Sequence, residues 1–124
     1  DTLTQALPSG LRWLSLNNNE LHRAVGAPLV RALKTLPPEL HTLHFNGNEF
    51  GRSAPRALAR TFRAFPPQLQ TVALRFNALG TLSPTQLRRA LQSLPKTMKR
   101  LDVSFNHFKA PPEGAPHVEL LGLE

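Results

Sequence analysis

Two short spacings in this 124-residue chain carry residue types that do chemistry in other proteins. His41 and His44 stand three positions apart, and Asp102, Ser104 and His107 supply the three side-chain types of a hydrolytic triad. A divalent metal needs several converging ligands. Residues three apart on an extended segment point to opposite sides of it, no acidic cluster joins the two histidines, and the chain holds no cysteine. A triad needs its base within hydrogen-bond reach of the nucleophile. Extended backbone, at roughly 3.3 Å per residue, separates Asp102 from His107 by ~16 Å. The chain has no glycine-rich loop of the kind that cradles phosphates. The expectation is a non-enzymatic protein with no catalytic residue, no metal and no cofactor.

What remains is non-covalent recognition. Fifteen Lys and Arg against eight Asp and Glu give a net charge of +7, a bias towards anionic surroundings. Between Phe50 and Leu101 there are ten basic residues and no acidic one. Arg52, Arg56, Arg60 and Arg63 follow a four, four, three spacing. On a helix that spacing gathers them on one face, opposite Leu58, Phe62 and Phe65. Arg31, Arg60 and Arg89 share a 29-residue register, as do Lys34 and Arg63. The ladder so formed contacts phosphate, anionic lipid or an acidic partner, or it is an ordinary solvated face. Trp13 is the one tryptophan. It is either an exposed binding anchor or a residue covered by segments upstream of it.

A repeat positions these side chains. The segments LRWLSLNNNEL (11–21), LHTLHFNGNEF (40–50), LQTVALRFNAL (69–79) and MKRLDVSFNHF (98–108) each begin 29 residues after the last. Asn19, Asn48, Asn77 and Asn106 fall in one register, as do the apolar sets headed by Leu11, Leu14, Leu16 and Leu21. Alternation at LxL marks a strand. Beyond a short loop come helical spacings: Leu29, Leu33, Leu36; Leu58, Phe62, Phe65; and Leu87, Leu91, Leu94. Ser83-Pro84-Thr85-Gln86 reads as a capping box with proline at the first helical position. Pro37, Pro66 and Pro95 stop the helices. One domain is expected, with repeats at about 7–35, 36–64, 65–93 and 94–108 and a tail over 109–124. Forty percent apolar residues suffice for a core, and no apolar run is long enough to span a membrane. The chain starts at Asp1 without a leader, and Thr2 to Leu7 aligns with Arg31 to Leu36. It therefore reads as a fragment of a longer protein that opens on the last turn of a preceding helix.

The pattern LxxLxLxxNxL over residues 7 to 108 resembles that of leucine-rich repeats. The 29-residue period is similar to the ribonuclease-inhibitor-like subclass. Leu7-Pro8, Leu36-Pro37, Phe65-Pro66 and Leu94-Pro95, leading into each strand, resemble repeats of bacterial effector proteins. The resemblance implies an α/β solenoid with four parallel strands on a concave face and about three helices on a convex face. It implies a structural ladder of Asn19, Asn48, Asn77 and Asn106, and packing of Phe76 and Phe105 between turns. The partner surface it implies is the concave one: Trp13, Ser15, Asn17, His44, Asn46, Arg75, Arg100 and Asp102. That partner is a protein, of a host cell if the chain is secreted as an effector. An alternative is the substrate-recognition region of a bacterial effector ubiquitin ligase whose catalytic domain lies outside these residues. A further alternative is nucleic acid or anionic membrane held by convex Arg31, Arg52, Arg56, Arg60, Arg63 and Arg89. In this register Leu74 points inward and Ala73 outward and exposed. The tail folds over the open end of the last repeat through Val118, Leu120 and Leu121.

Overall fold

The computed structural model describes residues 10–123. The start of the first repeat at residue 7, the Leu7-Pro8 step and the helical turn expected before it lie outside the described residues. Five strands, β1 (Trp13–Ser15), β2 (Thr42–His44), β3 (Thr71–Ala73), β4 (Arg100–Asp102) and β5 (Glu119–Leu121), form one parallel sheet in chain order. Trp13, Thr42, Thr71, Arg100 and Glu119 are register partners across it. Three helices, α1 (Ala27–Lys34), α2 (Pro55–Arg63) and α3 (Pro84–Gln92), connect the first four strands, each entered through a 3₁₀ turn.

Each element follows from its residues. Leu43, Val72 and Leu101, the centres of β2 to β4, are fully buried. They meet Leu29 and Leu33 of α1, Leu58 and Phe62 of α2, and Leu87 and Leu91 of α3 in one continuous core. The helices begin where proline allows. Pro55 and Pro84 occupy the first helical position, and Ser83 closes a capping box with Gln86. They end ahead of Pro37, Pro66 and Pro95, because a residue before proline is driven out of the helical region. Each of these prolines then opens a turn: its carbonyl accepts the N–H of Leu40, Leu69 or Met98 at 3.0–3.1 Å. In α2 the buried Thr61 hydroxyl accepts the Gly26 N–H at 3.0 Å and donates to the Ala57 carbonyl, tying α1 to α2.

Between strand and helix the chain is held by asparagine. The Asn48 Oδ1 accepts the N–H groups of Asn19 and Leu21 in the preceding repeat. Asn77 accepts those of Asn48 and Phe50, and Asn106 those of Asn77 and Leu79, all at 2.9–3.2 Å. Their Nδ2 groups donate to carbonyls of Leu16, Phe45 and Leu74. Asn19 is exposed, and its amide donates to the Asn17 carbonyl.

Four expectations are corrected. The sheet has five strands, not four. The tail enters it without a helix because Ala115-Pro116 repeats the strand-entry turn, Val118 N–H donating to the Ala115 carbonyl at 3.0 Å. Val118 is buried and Leu120 and Leu121 half-buried, closing the end of the core as a strand. Arg52 is not part of α2: it ends a 3₁₀ turn, and Ser53 and Ala54 run extended into Pro55. Ala73 is buried, since His44 and Asp102 flank it on the same face of the sheet. Phe76 and Phe105 are not buried between turns. Both have left-handed backbone (φ 56° and 59°), which swings a side chain that alternation would place inside out to solvent.

Leu74 is fully buried and Gln70 exposed. Leu74→Ala is expected to cost about 2–5 kcal/mol and Gln70→Ala at most about 0.5 kcal/mol. Urea denaturation of the two variants measures both.

Candidate functional site

The strand residues that point away from the core form a strip across the concave face. Trp13 is 51% exposed. Its ring meets His44 edge-on at 5.0 Å, and its Nε1–H donates to His44 Nε2 at 3.3 Å. That bond requires a neutral imidazole. Burial, and then the positive charge of Arg75, hold the His44 pKa below its ordinary 6.5 against the opposing pull of Asp102. His41, in contrast, is exposed and lies 2.9 Å from the Thr42 hydroxyl.

Arg75 stands on the next turn. Its Nε donates to Asp102 Oδ2 at 2.6 Å. The other carboxylate oxygen accepts the Ser104 hydroxyl at 2.6 Å and the Ser104 N–H at 3.0 Å. Burial alone would raise the Asp102 pKa. The Ser104 hydroxyl, the Arg75 guanidinium and the Ser104 N–H outweigh it and hold it below 3.8. Ser104 and Asp102 are thus joined, but in a structural bond to an arginine and not in a triad with His107, which is exposed. Arg100 faces Glu119 of β5 at 3.6 Å. Asn17 and Asn46 use their side-chain oxygens on the backbone of the next repeat, accepting the N–H of Asn46 at 2.7 Å and of Arg75 at 2.8 Å. Ser15 is half-buried beside them. The strip therefore holds one exposed aromatic edge and two arginines already neutralised by its own carboxylates.

The convex face is different. Arg52 is spent on Glu49. Arg88 of α3 is likewise paired, with Glu113, and off the helices Arg12 pairs with Glu39 and Arg23 with Glu20. Arg31, Arg56, Arg60, Arg63 and Arg89 are exposed and have no acidic partner among the described residues.

Sequence reading missed one surface feature. Phe76 and Phe105, each 58% exposed, stack face to face with centroids 4.6 Å apart and planes 2° from parallel. The signal was present: the same aromatic residue recurs 29 positions on, directly before the ladder asparagine. Among the described residues, no three His, Asp or Glu converge as a metal site, and no helix is long and apolar enough to cross a membrane.

No protein-family model and no curated protein sequence matches the chain. Among solved structures it is similar to the leucine-rich repeat-containing protein LegL7 from Legionella pneumophila, with a TM-score of 0.83 and 24% identity over 94% of this chain. The match covers 40% of that protein's length. The likeness is one of fold: the chain folds as a leucine-rich-repeat solenoid.

Trp13 makes the His44 contact observable. Its fluorescence is expected to titrate with a midpoint below 6.5, where His44 gains a proton and the Trp13 N–H loses its acceptor. The neutral form is the one the fold favours, so this contribution to stability is complete above pH 6.5 and falls as pH drops through the lowered pKa. In His44→Gln the transition is expected to vanish.

Proposed function

We propose that the chain is a non-enzymatic protein-binding module that takes its partner on the concave strip. The observation that carries this reading is Trp13: half-exposed, yet pinned by His44 on a rigid strand. Exposed tryptophan is prominent among binding hot spots, and a side chain already held in place loses little entropy on association. Arg75 and Arg100 are turned sideways onto Asp102 and Glu119. Their pairing leaves the strip near electrical neutrality, which suits a folded protein surface better than a polyanion.

The parent protein, in this reading, is a bacterial effector of the ribonuclease-inhibitor-like repeat type that acts on a host protein. The 29-residue period, the proline step before each strand and the fold likeness to a Legionella protein support it. A ubiquitin-ligase domain elsewhere in such a parent would make the same strip a substrate-recognition surface.

Arg75→Ala is a poor probe, because it strips the buried Asp102 of its cation. Trp13→Ala combined with Arg100→Ala leaves no buried group unpaired. That double variant is expected to lose at least about tenfold in affinity for a partner captured from host lysate. Replacing convex Arg31 is expected to leave the same capture intact. Loss with the convex variant and retention with the concave one would overturn the assignment.

A further inference from the structure

The convex arginines go beyond this reading, because they build a second site. Arg56, Arg60 and Arg63 of α2 and Arg89 of α3 line one groove of about 630 Å³ between the two helices, with Pro55 and Ala59 supplying apolar lining. All four arginines are exposed and lack an acidic partner among the described residues, whereas the concave arginines are all neutralised. The chain has no acidic residue between Phe50 and Leu101 that could serve them.

We infer that this groove binds an acidic amphipathic helix of a partner protein. Three features of the groove fix that chemistry. Arg56, Arg60 and Arg63 recur at intervals of four and three, so their guanidinium groups step along α2 once per helical turn, roughly every 5 Å. A partner helix lying along α2 with Glu or Asp at i, i+4 and i+7 places carboxylates at the same intervals, where each guanidinium fork takes one. Arg89 faces the same helix from the opposite wall. The small residues Pro55 and Ala59 leave room between the arginines for the apolar side of such a helix, the geometry in which an amphipathic helix fills a groove. A flat bilayer would meet the protruding arginines but leave the recess empty.

Two synthetic peptides of about five helical turns, identical in composition, test the inference. One carries Glu at i, i+4 and i+7 with a leucine stripe beside them on the same face; the other has the same residues in shuffled order. Binding is read by fluorescence anisotropy at about 0.15 M salt, where surface charges beyond about 8 Å are screened. The patterned peptide is expected to bind the wild-type chain at least about tenfold more tightly than the shuffled one. Arg56→Gln, Arg60→Gln and Arg63→Gln together are expected to remove that preference. Glutamine keeps helix propensity, and circular dichroism checks the fold. Lys96→Gln, Lys99→Gln and Lys109→Gln remove the same charge outside the groove and are expected to retain it. In the wild-type chain the amide shifts caused by the patterned peptide are expected at Ala54, Ala59 and Gln86. Equal binding of both peptides, equal loss in both triple variants, or shifts confined to the concave strands would each overturn the proposal. So would arginine-dependent uptake by phosphatidylserine vesicles without peptide binding.

Discussion

One carboxamide per repeat governs the rest of the structure. After each strand the chain turns sharply towards its helix; several of the turn's N–H groups bond to carbonyls of the next repeat, but those at the ladder position and two residues after it turn to a side chain. The buried Oδ1 atoms of Asn48, Asn77 and Asn106 take two of these groups each from the preceding repeat. A buried group left unpaired costs about 1–3 kcal/mol, so the bonds fix both the turn and the distance to the next one. The turn also demands left-handed backbone on either side of each ladder position. Asn18, Glu20, Gly47, Glu49, Phe76, Ala78, Phe105 and His107 all adopt it, and only one of them is glycine. Left-handed backbone costs a non-glycine residue about 1–2 kcal/mol. The fold tolerates this because the asparagine bonds offset it, and the 29-residue spacing follows.

That rigidity gives the two faces their separate chemistry. Strands held in register at about 4.8 Å present fixed rows of side chains. On the concave face those rows pair across repeats: Trp13 with His44, Arg75 with Asp102, Arg100 with Glu119. Charge is cancelled there and shape is left to do the recognising. On the convex face Arg56, Arg60 and Arg63 of α2 and Arg89 of α3 have no carboxylate opposite them among the described residues, so four unneutralised charges gather in one groove.

The repeat made most of the fold legible. A constant period with no insertion fixes strand pairing, register and inward residues together, which is why Leu43, Val72 and Leu101 were readable as core and Trp13 as outward. The misreadings come from breaks in the period or from local geometry beneath it. Arg52 fits a helical spacing in the sequence, but Pro55 dictates where the helix begins. Ala73 alternates outward as expected and is nonetheless buried, because exposure depends on neighbours in the adjacent strands. The alternation that would turn Phe76 and Phe105 inward does not reach them, because each adopts left-handed backbone. The fifth strand arrives 19 residues after the fourth and lacks an asparagine and a helix, so only Pro116 and the apolar residues after it betray it. For the site, pattern shows which side chains share a face. The contacts that neutralise them are set by side-chain conformations that a period does not encode.

The ladder is tested most directly by comparing Asn77→Ala with Asn19→Ala in urea denaturation. Asn77 is fully buried, and its loss strands the N–H groups of Asn48 and Phe50 and the Phe45 carbonyl. Asn19 is exposed, and its side-chain oxygen accepts no backbone N–H among the described residues. A loss of at least about 3 kcal/mol for Asn77→Ala, against less than about 1 kcal/mol for Asn19→Ala, is the predicted result. Equal, small losses in both would contradict it and would mean that apolar packing alone sets the turn.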